Sequence, residues 1–299
     1  MGQSPPTHLK GLLTVVAATA CWSFSGVLIN LIVDHSPLTP VALAFWRDLA
    51  TFILLALSLR LVRPDLLRVQ RRDLLWLAAM GGCVGLFHIF WNTSVTTIGV
   101  SVATVVQANA PIFVSVMAWL LWREALTWRK VTAMALALVG TLLIARLDRP
   151  SAMSVSLTGL LIALAGAIAY GSFSLFGKRL DGNTSAWTSL TYTFAFATLA
   201  LLPFQLGAPH PWPISPTMMG AFAALVLGVT ILGFALYLSG LRRLPVSIAS
   251  ITATTEVPFA ALTSYLVLGE RLDGWQMVGA GAIILGVVLV SLPRHTEPE

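Results

Sequence analysis

Residues 11–33 read GLLTVVAATACWSFSGVLINLIV, a run of 23 positions without a charged side chain. A membrane-spanning helix needs about 20 mostly apolar residues, and this run supplies them. Lys10 before the run and Ala18-Thr19-Ala20 within it imitate a secretion signal and its cleavage site. The apolar stretch continues well past that site, so it reads as an uncleaved first span. Nine further runs of the same kind follow at 38–62, 73–97, 100–122, 128–145, 157–179, 186–206, 217–240, 246–268 and 274–292. In hydrocarbon every backbone polar group must be paired within the fold. Continuous apolar runs of this length lack the alternation of a barrel strand. The predicted fold class is therefore an all-α integral membrane protein with ten transmembrane helices.

Composition agrees. Charged residues make up 10% of the chain and hydrophobic residues 57%, whereas a soluble domain carries about 25% charged residues. So few charges cannot cover a water-facing surface, and the short loops leave no room for a soluble catalytic domain. The net charge of +6 does not point to nucleic acid, because the basic residues fall between spans and not on one face. Counting with a cytoplasmic N-terminus puts 14 of the 18 Lys and Arg on the inner side and 3 outside, with Arg47 inside a span. That is the bias of a positive-inside topology. It implies cytoplasmic termini; the expected location is a bacterial-type inner membrane. Cys21 and Cys83 both lie in apolar runs and read as packing residues, not as a disulfide or a metal pair.

The chain also repeats itself. At an offset of 146, Val100-Ser101-x-Ala103 meets Val246-Ser247-x-Ala249, Glu124-x-Leu126 meets Glu270-x-Leu272, and Gly140 meets Gly286. At 148, Gly11-Leu12-Leu13 meets Gly159-Leu160-Leu161. The expected organisation is a cytoplasmic N-terminus (1–10), a five-helix repeat (11–145), a linker (146–156), a second five-helix repeat (157–292) and a cytoplasmic C-terminus (293–299). An odd number of spans per repeat inverts one half relative to the other, the arrangement of carriers that alternate access around a central site.

Three stretches of the first half carry a resemblance: Asn92 to Ala103, then Ala110-Pro111, then Trp122-Arg123-Glu124-Ala125-Leu126. They are echoed by Leu238 to Ala249, Val257-Pro258-Phe259 and Leu268-Gly269-Glu270-Arg271-Leu272, with Gly279, Gly281 and Gly286 following. Together they resemble the EamA-type members of the drug/metabolite transporter superfamily. The resemblance implies a basket of ten helices around a central cavity and, usually, export of metabolites. The aromatic content around the expected cavity is similar to that of bacterial aromatic amino acid exporters. The first half departs from the usual Gly-Glu pair by placing Arg123 before Glu124, which puts the geometry of that helix end in question.

Candidate site residues follow from polarity inside the spans. Pro111 and Pro258 each remove a helix hydrogen bond and are expected to break the fourth and ninth helices, freeing the carbonyls of Gln107 and Thr254. Gln107, Asn109, Thr255 and Glu256 surround these breaks, and Asn109 and Glu256, each two residues before a proline, read as symmetry partners. Glu256 lies roughly 15 Å into its span at 1.5 Å per residue. An ionisable group there suggests a site for a substrate ammonium or a proton. His88, Trp91 and Asn92 share one helical stripe, and the imidazole and amide suit a substrate carboxylate. Trp22, Gly26 and Asn30 match Tyr170, Ser174 and Lys178 at 148, and Tyr237, Phe24 and Phe173 are further aromatic candidates. Arg47 beside Asp48 reads as a structural polar link on a helix that need not border the cavity, each residue needing its own partner or water because helical neighbours do not face each other. Gly81-x-x-x-Gly85 reads as a helix-packing element.

No Walker A loop, GxSxG, HExxH or CxxC occurs, so no catalytic residue, metal or cofactor is expected. The reading is a secondary transporter exporting amino acids, aromatic or hydrophobic ones favoured, by alternating access. Its partners are a small-molecule substrate, the lipid bilayer and, as a candidate coupling ion, the proton; no nucleic acid is implicated. The alternatives are a drug or other metabolite carrier on the same fold, or a membrane-embedded enzyme acting on lipid-like substrates.

Overall fold

The computed structural model describes residues 5–98, 100–145, 156–208, 210, 215–268 and 273–292. Gly269 to Leu272, most of the expected 146–156 linker, residues 1–4 and the 293–299 tail lie outside them. Among the described residues ten helices are long and apolar enough to cross a membrane, from Thr7–Asp34 to Gly274–Ser291. Large apolar side chains such as Leu61, Leu121, Leu266 and Leu285 point outward, the expected surface when lipid is the solvent. Hydroxyl or carboxylate caps begin several spans: Thr39, Ser156, Ser185, Ser215 and Asp273 each accept from a backbone N–H three residues on.

Four of the spans are irregular. The fourth consists of Val100–Gln107 and Ala110–Trp122, the ninth of Val246–Ala253 and Glu256–Leu268. Corresponding ends of these half-helices all differ by 146, so the two breaks occupy one register. The first span also divides, into Pro5–Trp22 and Ser25–Asp34, and the eighth widens to a π-helix over Leu225–Leu232. Neither irregularity has a proline at its centre.

The two halves meet with internal symmetry. A methyl added at Gly140 would stand 2.5 Å from the Gly279 carbonyl, and one added at Gly286 would stand 3.0 Å from the Ala133 carbonyl. Residues 133 and 279 correspond at 146, as do 140 and 286. Each half thus presents the same patch to the other, the reciprocity of a twofold contact, with small residues allowing the fifth and tenth spans to pack backbone to backbone. Gly81 and Gly85 do the same against the seventh span, where added methyls would meet the Thr193 carbonyl at 2.4 Å and Ala200 at 2.8 Å. Two hydroxyl pairs tie the first span to the ninth: Thr19 with Thr255 at 2.8 Å and Ser23 with Thr263 at 3.0 Å.

Candidate functional site

The broken helices border a cavity of about 470 Å³ between the halves, within the range of small-molecule sites. Its lining follows the repeat. Thr104, Gln107, Ala108, Ala110 and Pro111 from the fourth span correspond one for one, at 146, to Ser250, Ala253, Thr254, Glu256 and Val257 from the ninth. This register corrects one expectation. The prolines lie 147 apart, so Glu256 matches Ala110 and Asn109 matches Thr255. One residue on a helix is a rotation of about 100°. Asn109 and Thr255 accordingly turn away from the cavity. The Asn109 amide donates to the Val105 and Val106 carbonyls at 3.1 Å each, and Thr255 donates to the Thr252 carbonyl at 2.8 Å. Pro111 lines the cavity and Pro258 does not. The Thr254 carbonyl freed by Pro258 accepts instead from Val257 N–H at 3.1 Å, while Gln107 Oε1 is buried without a hydrogen-bond partner among the described residues.

Trp22, Tyr170, Trp91, Asn92 and His88 reach the lining. Five aromatic residues, Trp22, Phe87, Trp91, Tyr170 and Phe234, belong to the lining. Phe87 lies 5.1 Å from Tyr170 and 6.2 Å from Trp91 between centroids, and Trp22 lies 5.1 Å from Phe234. Gly26 faces open space, with nothing within 4 Å of an added Cβ. Ser174 and Tyr237 lie behind the wall, their hydroxyls bonded to each other at 2.7 Å. Phe173 packs there too, Phe24 is exposed, and Lys178 binds Asp181 and the Leu241 carbonyl, both at 3.3 Å. The π-helical stretch, which carried no sequence signal, contributes Val229 and Thr230. Such stretches often accompany functional sites.

Among the described lining residues Arg47 is the one Arg or Lys and Glu256 the one Asp or Glu. The Glu256 carboxylate makes no hydrogen bond or ion pair among the described residues. Arg47 reads in the sequence as a structural link with a partner other than Asp48, whereas in the structure it lines the cavity and bonds Asp48. Its Nε donates to Asp48 Oδ1 at 3.2 Å and its Nη2 reaches His88 Nε2 at 2.5 Å, while His88 Nδ1 lies 3.0 Å from Asp48 Oδ2. The Arg47 side chain bends back to its own neighbour, and His88 and Asp48 close a ring around its guanidinium. The arrangement is satisfied by the tautomer with hydrogen on Nδ1, which donates to Asp48 and leaves Nε2 to accept from Arg47.

The cavity is one-ended. Its lining reaches Asn30, Pro40, Ala145 and Gln276, all at the span ends opposite those rich in Lys and Arg. The basic end is shut by contacts between the halves. A methyl on Gly240 would stand 3.0 Å from the Gly11 carbonyl, and one on Gly11 would stand 2.9 Å from Leu244. Arg123 adopts the left-handed conformation at φ 56°, which a glycine takes at little cost. That turn aims Glu124 at the start of the half-helix Val246–Ala253, which follows Pro245 and has no side-chain cap of its own. Glu124 Oε1 accepts from Val246 N–H at 3.0 Å, Oε2 accepts from the Ser247 hydroxyl, and Lys130 Nζ lies 3.3 Å from Oε2. One half of the protein thus caps a helix of the other.

The family model of the EamA-like transporter family matches residues 9–146 and again 157–292. The chain belongs to the EamA-like transporter family. As an EamA protein it is a multi-pass membrane secondary transporter, a carrier and not an enzyme, with a small-molecule substrate and a lipid surround. It is 27% identical to an uncharacterized inner membrane transporter, YicL, of Salmonella typhimurium, over 95% of each chain. It is 25% identical to the riboflavin transporter ImpX of Fusobacterium nucleatum, over 95% of this chain and 98% of that one. It is also 25% identical to a probable terminal-alkyne amino-acid exporter of Streptantibioticus cattleyicolor, over 75% of each. A crystal structure with 20% identity superposes with a TM-score of 0.77 over 94% of this EamA chain and 96% of that chain, a likeness of fold.

Proposed function

We propose that this EamA carrier exports amino acids with apolar or aromatic side chains across a bacterial inner membrane by alternating access. The observation that carries the reading is Glu256: a carboxyl group at the break of the ninth helix, facing the cavity with no hydrogen-bond or ion-pair partner among the described residues. A charged group at mid-membrane costs about 2.5–3.5 kcal/mol on insertion scales, and a substrate ammonium is the partner that would offset this cost. Trp22, Phe87, Trp91 and Tyr170 give the apolar wall for a side chain. The amino-acid exporter among the relatives supports the same class.

With the basic end in the cytoplasm, the cavity opens outward and the Glu124 cap latches the inner side. Transport then requires this latch to release while the opposite end closes. Counterflow in proteoliposomes tests the reading with phenylalanine, leucine, lysine and riboflavin, each as tracer against its own unlabelled pool. Exchange of phenylalanine and leucine that disappears in Glu256→Gln is the expected outcome. Exchange of riboflavin alone would refute it.

A further inference from the structure

We infer that Arg47, held by Asp48 and His88, is the carboxylate subsite of this cavity, so that the carrier takes zwitterions and rejects amines that lack the acid group. The inference rests on the reading of the cavity as an amino-acid site and adds the second half of the recognition. The stripe on the third helix made His88 the natural candidate for a carboxylate. In the structure both of its ring nitrogens are already committed, one to Asp48 and one to Arg47. The guanidinium is the group with donors left over. Nε and Nη2 bond within the cluster, whereas Nη1 has no hydrogen bond among the described residues.

The cluster has the construction of a recognition site. Arg47, Asp48 and His88 are 8%, 0% and 6% exposed. Arg47 and His88 line the cavity while Asp48 stands behind them. Asp48 engages Nε and His88 engages Nη2 of the guanidinium, which fixes its plane. A planar, pre-oriented guanidinium is the side chain best suited to a carboxylate. Asp48 and His88 are thus positioning residues that act through Arg47. The lining then presents a cation from the second span and, from the ninth, a carboxyl group unpaired among the described residues, the complement of an α-amino acid's two ends. Asp48 already balances Arg47, so a bare amine would satisfy Glu256 as well. Discrimination against the amine therefore depends on the donors of Arg47 going unmet when no carboxylate arrives.

The test uses three analogues of one side chain, phenylalanine, phenethylamine and 3-phenylpropionate, as competitors of phenylalanine counterflow in proteoliposomes. With the unmutated protein, phenethylamine should compete at least about tenfold less well than phenylalanine, because a site built to bond a polar group penalises its loss. Equal competition by phenethylamine overturns the Arg47 inference and leaves the Glu256 reading intact. Equal competition by 3-phenylpropionate overturns the Glu256 reading instead. In Arg47→Lys and Asp48→Asn, compared at matched amounts of monodisperse protein, the preference for phenylalanine over phenethylamine should shrink by about tenfold. A preference unchanged in both variants would assign the cluster a purely structural role.

Discussion

Glu124 is the residue whose removal should change the carrier's conformational balance most. Glu124→Ala deletes a charged cap on Val246 N–H and the acceptor of Ser247, and leaves Lys130 without its ion pair. Glu124 and Lys130 are 16% and 8% exposed at the side chain, so water replaces little of what is lost. Hydrogen bonds to a charged group contribute about 1.5–3 kcal/mol each, and breaking a buried pair costs about 3–5 kcal/mol. A loss of about 3 kcal/mol from the conformer closed at the basic end raises the population of the other conformer on the order of 100-fold. The assay is thiol labelling at two symmetry-related lining positions, Ser250→Cys and Thr104→Cys, in a background with Cys21 and Cys83 replaced. A membrane-impermeant maleimide applied at the basic end should label Cys at 250 much faster once Glu124 is Ala. Applied at the opposite end, it should label Cys at 104 more slowly. Loss of packing would speed both reactions, so a parallel rise, or no change at 250, would refute the latch.

Other outcomes follow from the same geometry. Gly26→Phe, with open space over its Cα, should leave thermal stability within about 1 kcal/mol, since glycine is already unfavourable in a helix, and should abolish counterflow by filling the cavity. Gly140→Ala drives a methyl to 2.5 Å from the Gly279 carbonyl. It should destabilise the detergent-solubilised protein by about 1–3 kcal/mol, read as a lowered Tm, whereas Gly281→Ala, with nothing within 4 Å, should not. Alanine at Trp22, Trp91 or Tyr170 should weaken phenylalanine competition more than leucine competition, by about 0.5–1.5 kcal/mol for each lost ring contact; equal loss for both substrates would contradict a stacking wall.

Much of this fold was legible in the sequence because two strong signals agree. Run length sets the ten spans and the charge bias sets their alternation, while the 146-residue repeat aligns half-helix ends that the structure places in that register. The breaks of the fourth and ninth spans were legible through Pro111 and Pro258. At those breaks Gln107 and Glu256 face the cavity as their polarity suggests, whereas Asn109 and Thr255 do not, because the prolines are one residue out of register with the repeat and one residue turns a helical side chain by about 100°. The break at Ser23-Phe24 has no proline to announce it. There Ser23 bonds back to the Ala20 carbonyl at 2.8 Å and across to Thr263, a competition with helix bonding that depends on a neighbour 240 residues away. Arg47 was set aside because adjacent helical residues do not face each other. That rule concerns short reach from neighbouring Cβ atoms, and a long guanidinium held by His88 from another span escapes it. The Gly-to-Arg departure at Arg123 left the helix-end geometry open, and the structure keeps the left-handed turn despite the side chain.

In the proposed mechanism Glu256, in the cavity between the two repeats, receives the ammonium of an amino-acid substrate. The most direct measurement of this is calorimetric titration of phenylalanine into the purified carrier, beside Glu256→Gln of equal thermal stability. Saturable binding that weakens at least about tenfold in the variant, the loss expected for one buried charge-assisted contact, is the predicted result. Binding of equal strength in both proteins would contradict it.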